Sequence, residues 1–149
     1  MSVVFLCVGA AKAGTSWLHR QLSGHPECHF RAMKELHYFN AIDGGSLKSE
    51  FRKHKAWQQE LLEKVALSEA APTDEQAMRL ADRGAWLDVL EAREEDRAAY
   101  LSYLHGGADQ AKVVGEMTPA YALLSADRLR AMAGMAPDVR FLFLPVSYT

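Results

Sequence analysis

Val3-Val4-Phe5-Leu6-Cys7-Val8-Gly9-Ala10-Ala11-Lys12-Ala13-Gly14-Thr15-Ser16-Trp17 decides the fold of this chain. Residues 3–8 are β-branched, aromatic or otherwise apolar without interruption, as expected of a strand buried on both faces within a parallel sheet. Gly9 closes the run. From Thr15 to Leu22 the chain reads as a short helix, with Trp17, Leu18 and Leu22 apolar and Gly24 just past the end. Between strand and helix lie small residues that let a backbone wrap an anion closely. The amides of a helix N-terminus, where the dipole favours negative charge, follow at once. Thr15 and Ser16 add hydroxyls and Lys12 a cation; the competing reading is a tight strand–helix turn with an incidental lysine. In a Walker A loop the lysine follows the second glycine directly. Here Thr15 holds that place, and Lys12 stands two residues before Gly14.

Outward from this loop the chain alternates strand and helix. His25-Pro26 forces a turn, and a second extended stretch is expected between Cys28 and Phe39. Ser46 to Leu67 carries Leu47, Phe51, Leu61, Leu62 and Val65 at helix-like spacing. Thr73 and Gln76 form a capping box for the next helix. A further helix is expected from about Ala85 to Leu104, with Trp86, Leu90, Leu101 and Leu104 on its packed side, ended by Gly106-Gly107. Lys112-Val113-Val114-Gly115 reads as a strand, Ser125 caps a helix through Met135 that Pro137 stops, and Val139 to Leu144 reads as a last buried strand. This rhythm predicts an α/β domain with a mainly parallel sheet.

The chain has 149 residues, 49% hydrophobic and 24% charged, with a net charge of -2. That suits one globular domain and gives no global field that would draw nucleic acid or an acidic membrane. No Lys or Arg precedes the first apolar run, which is short for a signal peptide. No segment approaches the roughly 18 apolar residues of a membrane span. A cytoplasmic protein is expected. Cys7 and Cys28 are too few for a disulfide framework, and Cys7 reads as a buried free thiol. His25, Cys28 and His29 lack a second cluster to complete a zinc site, so no metal is expected.

Lys34-Glu35-Leu36-His37-Tyr38-Phe39-Asn40 is the second chemical stretch. In an extended chain Glu35 and His37 share one side, where a carboxylate and an imidazole could take a proton from a hydroxyl. The alternative is a surface carboxylate beside a structural histidine. Gly115-Glu116-Met117-Thr118-Pro119-Ala120-Tyr121 is the third, readable also as a structural proline turn.

Lys12-Ala13-Gly14-Thr15-Ser16-Trp17 resembles the 5'-phosphosulfate loop of sulfotransferases that use 3'-phosphoadenosine 5'-phosphosulfate, of form Lys-Ser/Ala-Gly-Thr-Thr/Ser-Trp/Leu. Glu35-Leu36-His37-Tyr38-Phe39 resembles the Glu-Val-His-Phe-Phe motif of glycan-type and bacterial members, and residues 115–121 resemble their Gly-Glu-x-Thr/Ser-Pro-x-Tyr segment. The resemblance implies a P-loop-type three-layer fold and a sulfuryl transfer from that nucleotide to a hydroxyl or amine on a small molecule or glycan. It implies that amides from Ala13 to Trp17, including that of Gly14, and the hydroxyls of Thr15 and Ser16 hold the 5'-phosphate, while Lys12 neutralises the leaving oxygen. It makes Glu35 the proton acceptor, with His37 second. Trp17 matches a position that stacks on adenine, against the alternative of a core tryptophan. Glu116, Thr118 and Tyr121 belong by this analogy to a segment lining the acceptor side, in which Glu116 orients the loop and Thr118 and Tyr121 meet the acceptor, whereas Met117 replaces a lysine found in some glycan enzymes, and Asn40 stands where the family often has Asp.

Residues 137–144 resemble the strand before the family's 3'-phosphate motif, Arg-Asp/Asn-Pro-Val, followed by a further Arg and a Ser. Here the chain reads Pro145-Val146-Ser147-Tyr148-Thr149. The family domain normally continues for roughly another hundred residues. The expectation is therefore a partial sulfotransferase domain over 1–149, incomplete at its C-terminus. It comprises the loop (9–17), the acid–histidine segment (34–40), a helical region (46–104) and the final strand (137–149). The alternatives are a non-catalytic nucleotide-binding fragment and a P-loop nucleotide kinase or NTPase. The latter is disfavoured by the position of Lys12.

Overall fold

A strand with apolar residues on both faces needs cover on both sides, and the chain supplies it. The computed structural model describes residues 2–146. β1 (Val3–Gly9) lies inside a four-stranded sheet with β2 (Cys28–Phe30), β3 (Val113–Met117) and β4 (Val139–Phe143), in the order β2-β3-β1-β4. Every pairing is parallel, as the sequence rhythm predicts. The fold is α/β.

On one face of the sheet Cys7, Phe30 and Met117 form a buried cluster, with Phe5, Leu142 and the α1 (Thr15–Ser23) residues Leu18 and Leu22 packed against it. Phe5 and Phe30 meet edge to face at 5.9 Å. Gly115 lies in register between these two rings' strands, and a Cβ there would run into the Phe5 carbonyl. Cys7 is a free, buried thiol, and burial pushes its pKa up.

The chain divides into two compact units, one built from the segments up to Asn40 and from Leu104 onward, the other spanning Ala41–Tyr103. α2 (Tyr38–Asp43) and α5 (Arg97–His105) run across the two boundaries. The second unit holds α3 (Leu47–Leu67) and α4 (Asp74–Glu91). Its core gathers Leu47, Trp86, Val89, Leu90, Tyr100 and Tyr103, and Tyr103 Oη donates to Asp82 Oδ2 at 3.2 Å. The sheet-bearing unit closes with a 3-10 turn over Pro119–Leu123 and α6 (Ala126–Ala133), whose cap Ser125 accepts from the Arg128 amide.

Four sequence expectations need correction. The helix expected over 85–104 is two helices: α4 begins at the Thr73 capping box and ends at Glu91. Arg93 then turns left-handed (φ 58), and Asp96 Oδ1 accepts from the Ala99 amide to start α5. In α3 the covered stripe is 47, 50, 51, 54, 58, 61 and 65, so His54 is buried while Leu62, one position off the stripe, is exposed. α6 ends at Ala133, because Gly134 caps it before Met135. β4 is not a buried strand: among the described residues it pairs only with β1, and Phe143 is 53% exposed. Ser147 lies outside the described residues. Among the described residues no helix is long and apolar enough to cross a membrane.

Candidate functional site

β1 delivers its C-terminal end to the middle of the sheet, and the loop starts there. Gly9 is held against β4: Leu144 N–H donates to Gly9 O at 2.8 Å and Ala10 N–H donates to Leu144 O at 2.9 Å. A Cβ at Gly9 would sit 2.7 Å from the Phe143 ring. Beyond Ala10 the chain reverses through Lys12 (φ 58) and Gly14 (φ 90), both left-handed, and enters α1. Such conformations concentrate where backbone is shaped around a ligand. The Ala13 amide closes this turn onto Ala10 O at 3.3 Å, so it is spent inside the loop rather than offered outward. The first helical bond runs from Leu18 N–H to Gly14 O. The amides of Thr15, Ser16 and Trp17 therefore belong to the unpaired first turn, at the positive end of the dipole. No acidic residue occupies that turn, and Gly14 supplies no side-chain cap.

Lys12 is exposed and has no hydrogen-bond or ion-pair partner among the described residues. Lys34, which the loop motif does not include, donates from Nζ to Ser16 Oγ at 2.9 Å. It thereby brings a second cation to the start of α1 and sets the acid–histidine segment beside the loop. Its charge also reaches His19 on α1: burial chiefly, and Lys34 secondarily, lower the His19 pKa, against a hydrogen bond with the Arg31 backbone. Trp17 is 64% exposed, so it is not a core residue. An indole displayed on the unpaired first turn of a helix is a surface on which a flat ring can stack.

Glu35 and His37 are paired, with His37 Nε2 3.5 Å from Glu35 Oε2. The sequence argument placed them together through the period of a strand, but β2 ends at Phe30 and residues 34–37 form no strand. Both residues are left-handed (φ 56 and 53), with Leu36 between them buried in the core. The segment keeps this shape because the end of β3 holds its backbone. Glu35 N–H donates to Met117 O at 3.0 Å, His37 N–H to Thr118 Oγ1 at 3.4 Å and Tyr38 N–H to Tyr121 Oη at 3.2 Å. Asn40 Nδ2 donates to Ala120 O at 3.1 Å.

Glu116, Thr118 and Tyr121 turn inward. All three are buried, and the Glu116 carboxylate accepts from Thr118 Oγ1 at 2.8 Å and from Tyr121 Oη at 2.7 Å. They hold the acid–histidine segment from behind. Burial first, and then the charge of Glu116 and its hydrogen bond, push the Tyr121 hydroxyl well above its ordinary pKa. Both histidines of the His25, Cys28 and His29 group have other tasks: His25 Nδ1 accepts from the Glu27 amide at 3.1 Å, and His29 Nε2 meets Gly106 O at 2.7 Å. Among the described residues no group of three or more His, Cys, Asp or Glu stands together as a metal would require.

The first unit thus brings together a small-residue loop, an unpaired helix start, two lysines, an exposed indole and a carboxylate–imidazole pair. Chemically, that set can hold an anion and take up a proton next to it. No protein-family model, curated protein or solved structure matches this chain.

Proposed function

We propose that this chain acts as a sulfotransferase, taking a sulfuryl group from 3'-phosphoadenosine 5'-phosphosulfate to a hydroxyl or amine of a small-molecule or glycan acceptor. The observation that carries the reading is the contact between Lys34 Nζ and Ser16 Oγ. Through it the residue next to Glu35 touches the first turn of the helix that follows the loop, so anion holder and proton acceptor are neighbours. The motif resemblance of residues 12–17, 35–39 and 115–121, in that order, supports the same reading.

In this account the amides and hydroxyls of Thr15 and Ser16 bind the 5'-phosphate, and Trp17 stacks on the base. The bond that forms joins the acceptor oxygen or nitrogen to sulfur, and the one that breaks joins sulfur to the phosphate oxygen. The acceptor's proton passes to Glu35 or, through the pair, to His37. Lys12 meets the charge that grows on the leaving oxygen. As in phosphoryl transfer, positioning and electrostatics supply most of the catalysis.

The test is transfer of radiolabelled sulfate from the nucleotide to a panel of phenol, amine and glycan acceptors. Transfer that Lys12→Ala reduces by about 100-fold or more supports the reading. Transfer indifferent to Lys12, or none to any acceptor, overturns it.

A further inference from the structure

Two of the three backbone amides that hang the acid–histidine segment from the end of β3 and the turn after it donate to hydroxyls. A hydroxyl has one proton and can serve either as donor or as acceptor toward a given neighbour. Thr118 and Tyr121 give their protons to Glu116, at 2.8 and 2.7 Å. Their oxygens are thereby left with lone pairs, which receive the amides of His37 and Tyr38. The carboxylate dictates the direction of both hydroxyls, and the hydroxyls fix two consecutive amides.

Glu116 is a costly residue for this place. It is 3% exposed, and in register beside it stands Leu6, with Phe141 beyond. An apolar residue in the same row would pack without the desolvation of a carboxylate. What an apolar residue could not do is orient two hydroxyls away from water, in a setting where each polar bond is strong if made and costly if lost. The segment needs such support, because Glu35 and His37 both hold backbone conformations that non-glycine residues adopt only under constraint.

We propose that Glu116 is the positioning residue of the Glu35–His37 pair, acting through Thr118 and Tyr121 and never touching the substrate. The proposal rests on the reading of that pair as the proton acceptor. It assigns to Glu116, Thr118 and Tyr121 a task behind the site rather than contact with the acceptor. The elevated pKa of Tyr121 keeps its proton in place across the ordinary pH range, so the relay does not switch off.

Glu116→Gln is the direct test, since the amide keeps the shape but puts an NH2 donor in place of one of the two acceptor oxygens. Two readouts are taken: hydrogen exchange of the His37 and Tyr38 amides, and steady-state turnover of 3'-phosphoadenosine 5'-phosphosulfate. Exchange at one or both amides should quicken by about tenfold or more, as for a lost buried hydrogen bond. The kcat should fall by about tenfold, with KM and the affinity for 3'-phosphoadenosine 5'-phosphate unchanged, because the 9–17 loop is untouched. A merely stabilising role would quicken exchange throughout and leave kcat per folded molecule alone; that outcome, or kcat held within about twofold, overturns the proposal. Should the Gln variant not fold, Thr118→Val and Tyr121→Phe each cut one strand of the relay. The first should release the His37 amide only and the second the Tyr38 amide only; release of neither overturns the proposal. If the unaltered protein neither binds nor turns over the nucleotide, the sulfotransferase reading fails by itself, and the amide exchange alone decides whether Glu116 positions the segment.

Discussion

Lys34 reaches Ser16 across eighteen residues of sequence, its Nζ donating to the serine Oγ at 2.9 Å. A residue outside the loop motif therefore contacts the first turn of α1. In the proposed reading an incoming anion replaces the hydroxyl as acceptor, and Lys34 then pairs with the ligand.

Lys34→Ala should weaken binding of 3'-phosphoadenosine 5'-phosphate by about tenfold, the scale of one charge-assisted hydrogen bond. Lys34→Arg should retain most of the affinity, and the loss in the alanine variant should shrink as salt is raised. Calorimetric titration at two salt concentrations checks this; equal affinities for Lys34 and alanine at low salt would contradict it.

Gly115→Ala should be severely destabilising, by about 3 kcal/mol or more, because overpacking here presses on backbone that cannot move aside. The new methyl group meets the carbonyl of Phe5, in the strand at the centre of the sheet. Urea unfolding followed by circular dichroism gives the number. A shift within about 0.5 kcal/mol would show that β1 and β3 are not apposed as described.

Thr73→Ala should cost about 1 kcal/mol, since it removes the acceptor of the Gln76 amide while Gln76 Oε1 still takes the Thr73 N–H. The double variant with Gln76→Ala should cost less than the sum of the two singles, because the bonds are reciprocal. Nucleotide affinity should not change in any of the three.

Acid should destabilise the protein through His19. Its folded pKa lies below the ordinary value of 6.5, chiefly because it is half-buried, edge to face with Phe30 at 5.9 Å. The unfolded chain then binds the proton first, so this contribution is whole above about pH 6.5 and is lost as pH falls from there through the folded value. Unfolding free energy measured from pH 8 down to pH 5 should therefore decline more steeply in the unaltered protein than in His19→Gln. Equal slopes would remove His19 as the cause.

Much of this architecture was legible because its determinants are local. The apolar run of β1, the Thr73–Gln76 box and the Ser125 cap each depend on residues within a few positions of one another, and all three stand in the structure as read. The break between α4 and α5 was missed because Trp86, Leu90, Leu101 and Leu104 continue an apolar pattern across it. Only Asp96, capping Ala99, marked a new start. Glu35 and His37 were paired for an incomplete reason: they converge through two left-handed residues held by β3, not through the alternation of a strand. Spacing alone also could not tell that Glu116, Thr118 and Tyr121 face one another rather than an open cleft. That depends on which side of β3 is covered, a matter settled by residues far away in sequence.

The central claim is that the loop from Gly9 to Trp17, with Lys12 and Lys34, holds the 5' end of a sulfate-donor nucleotide. Calorimetric titration of the unaltered chain with 3'-phosphoadenosine 5'-phosphate tests it most directly, with Lys12→Ala and Trp17→Ala alongside. Saturable binding of one nucleotide per chain, weakened about tenfold or more by each substitution, is the expected result. No binding, or binding that neither substitution alters, would contradict it.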